Sequence, residues 1–145
     1  LHRCNFVYVP QGNTLMSGTI RENLRLGKLD ATDEEMLHAL HVSCADFVND
    51  LPDGLNTLCS EQGGGLSEGQ AQRIAIARAL AISPSVIFAD EPTGALDQAT
   101  GEQIIELLTG WCARTGASLI MVTHDPNVAR SCQMTIHMQD GRILA

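Results

Sequence analysis

The sequence predicts an α/β fold in which a parallel sheet carries an inserted α-helical subdomain. Residues 86–89 and 119–123 are short apolar runs, with the length and composition of strands buried on both faces of a parallel sheet. Polar residues follow each run directly, at the edge where open α/β sheets bind ligands. A capped helical run at residues 67–81 precedes the first of these strands.

The first strand is predicted at residues 6–9, and Pro10 ends it because proline cannot donate to a strand ladder. Gln11 comes next, at the ligand-binding edge. Its neutral carboxamide can offer an oxygen to Mg²⁺ or to an attacking water.

A helical insert is predicted between Gln11 and the capped run, over residues 12–66. Its first short helix can be capped by Ser17 or Thr19. A capping box at residues 32–35 opens the second helix, and residues 44–51 form a third one.

The stretch at residues 66–70 has the features of an anion-binding helix N-terminus. Ser67 is a good N-cap, and Gln70 completes a capping box with it. Gly65 and Gly69 carry no Cβ, so the backbone can approach a ligand closely. Free N–H groups and the positive end of the helix dipole suit a phosphate.

Further elements follow towards the end of the chain. Asp97 precedes a helix with apolar residues at 104–108, and Asp125 with Pro126 starts a short helix. A last strand is predicted at residues 134–138, before a hairpin signal at residues 140–141.

Composition limits the classes of partner. The chain has 145 residues and a formal charge of −8, which disfavours a nucleic-acid backbone as a partner. Nine Asp or Glu and no Lys or Arg lie within residues 29–72. A solvated acidic face accounts for this block, and a docking surface for a basic partner is the alternative. The five cysteines are scattered, which indicates reduced thiols rather than disulfides or a zinc site.

No apolar run approaches the roughly 20 residues needed to cross a bilayer. The chain opens at Leu1 without a methionine, so we expect it to be part of a longer protein.

Five motifs resemble those of ATP-binding cassette (ABC) ATPases, in the same order. They are the Q-loop at residues 8–11, the signature motif at 66–70, the Walker B strand at 86–91, the D-loop at 94–97 and the switch histidine, His124. The resemblance spans the whole chain and implies a partial P-loop NTPase (RecA-like) parallel sheet. Residues 1–11 and 67–145 would form the ATPase core, and residues 12–66 the helical subdomain.

The resemblance also implies ATP and Mg²⁺ as cofactors and a role for each site residue. Asp90 would coordinate Mg²⁺ directly or orient its ligands from outside, and Gln11 would bind the ion. Glu91 would act as general base, while His124 would hold the γ-phosphate and orient the water. Because the family works as a head-to-tail pair of nucleotide-binding domains, the signature motif would meet the nucleotide bound by the second domain, and Asp97 would cross the same interface. The signature residues are Leu66, Ser67, Glu68, Gly69 and Gln70.

Residues 17–24 and 57–63 resemble segments of exporter-type ABC proteins. In such proteins the acidic position of the second segment lies near the coupling helices of the transmembrane domain, which makes Glu61 a candidate contact. The implied location is the cytoplasmic face of the cell membrane, and the implied task is to power export.

One expected motif is absent from these 145 residues, namely the P-loop pattern G-x-x-x-x-G-K-S/T. Lys28 is the only lysine, and its surroundings do not fit that pattern. We therefore expect the chain alone to be inactive. Two single residues also differ from the usual motifs of the family, and they matter less than the missing P-loop. Glu68 stands where the signature motif often has glycine, and Gly94 stands where many D-loops have serine.

Two alternatives remain open. The chain could be a naturally truncated, non-catalytic interaction module that acts through its acidic insert. It could also belong to a DNA-repair or chromosome-organising ABC ATPase, although residues 12–66 lack the sustained heptads of a coiled coil.

The resemblance places the parallel strands in the order 6–9, 86–89, 119–123, then the P-loop strand, then 134–138. Without the P-loop strand, the neighbouring strands would expose unpaired backbone groups. We expect a three-layer core that self-associates through these edges, with the last strand closing the gap, swapping into another chain or losing order.

Overall fold

The computed structural model describes residues 5–12, 14–60, 65–94 and 96–144. Glu61, the candidate contact for coupling helices, lies outside these ranges. The described strands are β1 (Phe6–Val9), β2 (Gly18–Thr19), β3 (Leu58–Cys59), β4 (Val86–Asp90), β5 (Ser118–Val122), β6 (Met138–Gln139) and β7 (Arg142–Ile143). The described α-helices are α1 (Ile20–Gly27), α2 (Asp33–Val42), α3 (Glu68–Leu80), α4 (Gln98–Thr115) and α5 (Pro126–Arg130).

The main sheet is parallel, with the strand order β1-β4-β5, which confirms the predicted order of its first three strands. Val9 pairs with Ala89, and Asp90 pairs with Val122. The residues that follow each strand therefore emerge at one edge. This alignment brings Gln11, Glu91 and His124 to the same end of the sheet.

Only one face of this sheet is covered in the described part of the chain. Ile87 and Ala89 are buried against α3 and α4, in a cluster that includes Ile76, Ile104 and Leu108. On the opposite face Phe6, Tyr8, Phe88, Ile120 and Val122 are exposed. The expectations of strands buried on both faces and of a three-layer core are therefore wrong, because no described helix packs on the second face.

The helical insert has its own cluster of buried side chains, to which α3 contributes Ala71, Ile74, Ala75 and Ala77. Thr19 caps α1 with a full capping box, so Thr19 rather than Ser17 is the cap. Thr32 caps α2 by accepting from the backbone N–H of Glu35 at 3.2 Å. The third predicted helix is shorter and tighter, a 3₁₀ helix over Asp46–Asp50.

The acidic block lies on the surface, since all of its described Asp and Glu side chains are exposed. Asp33 pairs with Arg21, and Glu35 pairs with Lys28. His41 Nδ1 lies 2.8 Å from Asp46 Oδ1. These contacts agree with a solvated acidic face.

The strand predicted at residues 134–138 is not formed. Met134 is 76% exposed and Ile136 is 57% exposed, because no described strand lies beside them. A strand is formed at Met138–Gln139, which pairs with Arg142–Ile143 in a hairpin, and His137 O accepts from the backbone N–H of Leu144 at 2.8 Å. Asp140 and Gly141 have φ values of +51° and +75°, as the predicted hairpin turn requires.

None of the helices in the described ranges is long and apolar enough to cross a membrane.

Candidate functional site

The N-terminus of α3 forms as the sequence predicts. Ser67 Oγ accepts from the backbone N–H of Gln70 at 3.1 Å, and Gln70 Oε1 accepts from the backbone N–H of Ser67 at 3.0 Å. This box still leaves donors for an anion, namely the hydroxyl proton of Ser67 and the carboxamide NH₂ of Gln70. The backbone N–H groups of Glu68 and Gly69 lie in the first turn, where no intrahelical acceptor exists.

The two glycines beside this box have different roles. Gly65 has a φ of +85° and open space where a Cβ would be, so it allows the left-handed turn into the motif. A Cβ on Gly69 would lie 2.8 Å from Cγ2 of Thr100 at the start of α4. The missing side chain of Gly69 therefore serves packing within the chain, a role that sequence reasoning missed. Leu66 is partly buried against the insert cluster, and the Glu68 side chain is exposed.

Glu91 and His124 meet beyond the ends of the adjacent strands β4 and β5. His124 Nε2 lies 3.3 Å from Glu91 Oε1, with the imidazole 95% exposed and the carboxylate 17% exposed. The contact lacks the alignment of a hydrogen bond, and Glu91 Oε1 is a buried oxygen without a hydrogen-bond donor. Glu91 has a φ of +46°, an uncommon conformation for a residue with a side chain. Its backbone N–H donates to Val122 O at 2.8 Å, which fixes this turn against β5.

Helix α5 begins shortly after His124, and hydrogen bonds at its N-terminus fix the turn that contains His124. The backbone N–H of Asp125 donates to Thr123 Oγ1 at 3.0 Å, and Asp125 Oδ1 accepts from the backbone N–H of Asn127 at 2.8 Å. Asp125 therefore acts as the cap of α5, with Pro126 in its first turn as predicted.

Asp90 ends β4 and lies beside the first strand. Tyr8 Oη donates to Asp90 Oδ2 at 3.0 Å, a contact between β1 and β4 that sequence reasoning missed. A tyrosine on an exposed strand gives no sequence signal of such a partner, because the contact depends on strand register.

Gln11 lies against the D-loop. A Cβ on Gly94 would lie 2.4 Å from Nε2 of Gln11 and 3.0 Å from its Cδ, so the carboxamide occupies the space that a side chain at position 94 would need. Gly94 is thus the residue that allows Gln11 its present position. Gly94, which stands where many D-loops have serine, therefore affects the packing of the Gln11 side chain.

The segment after Gln11 is held from two sides. Arg78 of α3 donates to the carbonyl oxygen of Thr14 at 3.2 Å and to its Oγ1 at 3.0 Å. Asn23 is buried and bonds both backbone groups of Met16, accepting at 2.8 Å and donating at 2.9 Å. The insert and α3 therefore fix the path of the chain away from the sheet edge.

Two further residues shape the D-loop region. Gln72 of α3 is buried, and its Nε2 donates to the carbonyl oxygen of Pro92 at 3.3 Å, next to Glu91. Asp97 caps α4 through a hydrogen bond from the backbone N–H of Thr100 at 3.1 Å. Hydrogen bonds from the Thr100 side chain and backbone hold the pKa of Asp97 below its ordinary value, so this carboxylate stays ionised near neutral pH.

The structure thus brings together Glu91 with His124, and Gln11 with the D-loop. Among the described residues, no hydrogen bond or ion pair joins the signature motif to Glu91 or His124. The N-cap of α3 and the carboxylates at the end of β4 do not contact each other directly. Two contacts connect their surroundings: Gly69 packs against Thr100, and Gln72 donates to the carbonyl oxygen of Pro92.

The three-stranded parallel sheet, with α3 and α4 on one face and polar residues beyond the ends of its strands, is consistent with part of a P-loop NTPase core. The ABC transporter family model matches residues 1–94. The chain therefore belongs to the ABC transporter family.

The chain is also similar to proteins of fungi and bacteria. The ABC-type transmembrane transporter verA of Clonostachys rogersoniana is 40% identical over 150 residues, covering 99% of this chain and 11% of that protein. The ATP-dependent permease MDL1 of Candida albicans is 40% identical, covering 99% of this chain and 21% of the permease. A probable ABC transporter ATP-binding/permease protein of Haemophilus influenzae is 37% identical, covering 97% and 25%. The chain thus spans about a tenth to a quarter of the length of these relatives.

The position of Gln11 leads to a prediction for Gly94→Ser. The new side chain must displace the Gln11 carboxamide, which is the mobile end of a side chain. The free energy of unfolding should therefore stay within about 1 kcal/mol of the wild type, while the side-chain NH₂ signals of Gln11 shift in the NMR spectrum. Gly110→Ser in α4 is the control and should leave these signals in place. Unchanged Gln11 signals in Gly94→Ser would contradict the contact.

Proposed function

We propose that the chain is the ATP-binding and ATP-hydrolysing region of an ABC transporter that powers export across a membrane. The observation that carries the proposal is the meeting of Glu91 and His124 beyond two adjacent parallel strands. The test is hydrolysis of Mg-ATP by the whole transporter polypeptide, with a Glu91 variant as the site-specific control.

In this proposal Glu91 is the general base. No described residue donates a hydrogen bond to its Oε1, which is covered by neighbouring atoms. Once a side-chain rotation exposes that oxygen, it can accept the proton of an attacking water. His124 lies within 3.3 Å and, being exposed, can contact both the water and the γ-phosphate. The left-handed turn at Glu91, tied to β5, fixes the separation of these two side chains.

Asp90 and Gln11 would hold Mg²⁺. Both offer oxygen ligands, and magnesium sites commonly use one or two carboxylates with substrate phosphates and water. Within the described ranges, no group of three His, Cys, Asp or Glu side chains could hold a metal by itself. The donor set thus fits a metal that arrives with a nucleotide. When bound, Mg²⁺ neutralises charge that develops on the phosphates.

The signature residues would serve a nucleotide held by a second nucleotide-binding domain in a head-to-tail dimer. Ser67, Gly69 and Gln70 supply hydroxyl, backbone and carboxamide donors at a helix N-terminus, which favours a γ-phosphate. Asp97 lies exposed at the start of α4 and would contact the same partner domain. The exposed carboxylate of Glu68 would lower the affinity for phosphate only if it turned inward.

The remaining partner would be a transmembrane domain, contacted through residues 12–66 at the cytoplasmic face of the cell membrane. In this proposal residues 1–11 and 67–145 are the ATPase core. The described part of the insert contains helices of 8 and 10 residues, which does not favour the long coiled coil of a DNA-repair ATPase. The net charge of −8 also supports a partner other than nucleic acid.

We expect the isolated 145-residue chain to bind ATP weakly and to hydrolyse it negligibly. Its sequence lacks the P-loop pattern, which supplies a backbone N–H cradle and a lysine for the phosphates. Isothermal titration calorimetry should detect no saturable Mg-ATP binding at micromolar concentrations. Stoichiometric binding with micromolar affinity would contradict this expectation and would support a phosphate site built from the signature helix alone.

A further inference from the structure

The contact between Tyr8 and Asp90 follows from strand geometry. Tyr8 pairs with Phe88 in the parallel register, so its side chain lies on the same face of the sheet as Phe88 and Asp90. Asp90 is two residues further along β4, which is about 6.6 Å at a rise of about 3.3 Å per residue. A tyrosine ring with its hydroxyl spans this distance, and Oη reaches Asp90 Oδ2 at 3.0 Å.

We propose that Tyr8 is a positioning residue for Asp90, holding the carboxylate through Oδ2 so that Oδ1 would remain available to a bound Mg²⁺. This inference rests on the proposed function, in which Asp90 binds Mg²⁺. An ionised carboxylate has about four acceptor sites, so one phenolic donor leaves capacity for a metal. Carboxylates that bind metals are commonly oriented by such outer hydrogen bonds.

Two observations favour a specific contact over incidental surface packing. Tyr8 is 59% exposed, so its hydroxyl has water available as an alternative partner and is not forced onto Asp90 by burial. The contact joins two adjacent strands of a fixed register.

The first test uses the chain alone, because Tyr8 is its only tyrosine. Tyrosine labelled with ¹³C at Cζ therefore gives a single NMR resonance, whose chemical shift reports whether the phenol donates a hydrogen bond. We expect Asp90→Ala, which removes the acceptor, to shift this resonance. Asp53→Ala, at an exposed aspartate in the insert, is the matched control and should leave the resonance in place. An unchanged Tyr8 resonance in Asp90→Ala would overturn the contact.

The second test asks whether the contact serves the metal. In the whole transporter polypeptide carrying Glu91→Gln, which should retain nucleotide, Mn²⁺ binding with ATP can be followed by electron paramagnetic resonance. Adding Tyr8→Phe removes only the hydroxyl and should weaken Mn²⁺ binding about tenfold or more. Unchanged Mn²⁺ affinity would overturn the inference alone. Absence of ATP-dependent Mn²⁺ binding with Tyr8 intact would overturn the proposed function as well.

Discussion

Replacing Glu91 by glutamine in the whole transporter polypeptide is expected to lower ATP turnover about a hundred- to ten-thousand-fold, the usual effect of losing a general base. Glutamine has nearly the same size as glutamate but cannot accept the proton of the attacking water. The turn at Glu91 is fixed by its backbone bond to Val122, so the substitution should leave the geometry in place. Nucleotide binding should therefore be retained, and an ATP-bound dimer should accumulate.

Turnover and dimer formation can be measured together, by phosphate release and by size-exclusion chromatography in the presence of Mg-ATP. Glu34→Gln is the matched control, because Glu34 is an exposed carboxylate in the first turn of α2. Near-normal hydrolysis by Glu91→Gln would assign the base to another residue, and His124, which lies 3.3 Å away, would be the first candidate.

The features of the site that depend only on residues close together in the sequence could be predicted. The capping box of Ser67 and Gln70 requires only a three-residue spacing, and the structure confirms it. The order of the three parallel strands is also confirmed. The polar ends of β4 and β5 lie at one edge because parallel strands share their direction, which a strand assignment already implies.

The parts that depend on tertiary packing could not be predicted. An apolar strand has the same sequence pattern whether helices cover both of its faces or only one. The exposure of one face of β4 could therefore not be predicted from the sequence. A strand at residues 134–138 requires a paired neighbour, which the described chain does not provide. The close approaches of Gly69 to Thr100 and of Gln72 to Pro92 join segments that are 20 or more residues apart. Nothing in the local sequence specifies such pairs.

The contact between α1 and α3 also escaped sequence reasoning, and it leads to the largest expected effect on stability. Gly27 is the last residue of α1, and a Cβ built on it would lie 2.1 Å from the carbonyl oxygen of Arg78 in α3. The obstacle is backbone, so no side chain can turn away to relieve the clash. Gly27→Ala must push the two helices apart, at the cost of packing in the insert cluster, to which α1 contributes Leu24 and α3 contributes Ile74.

We expect Gly27→Ala to lower the free energy of unfolding by about 3 kcal/mol, at the upper end of typical overpacking costs. Urea unfolding followed by circular dichroism measures this loss, because both helices contribute to the signal. Gly110→Ala in α4 is the matched control, since its Cβ would meet only the mobile Nη1 of Arg114 at 3.3 Å. That control should be as stable as the wild type or up to about 1 kcal/mol more stable, because alanine favours helix. Equal stability of Gly27→Ala and the wild type would mean that α1 and α3 do not approach this closely. The position of Arg78 beside Thr14 depends on the same close approach of the two helices. That result would therefore also contradict the hydrogen bond from Arg78 to the carbonyl oxygen of Thr14.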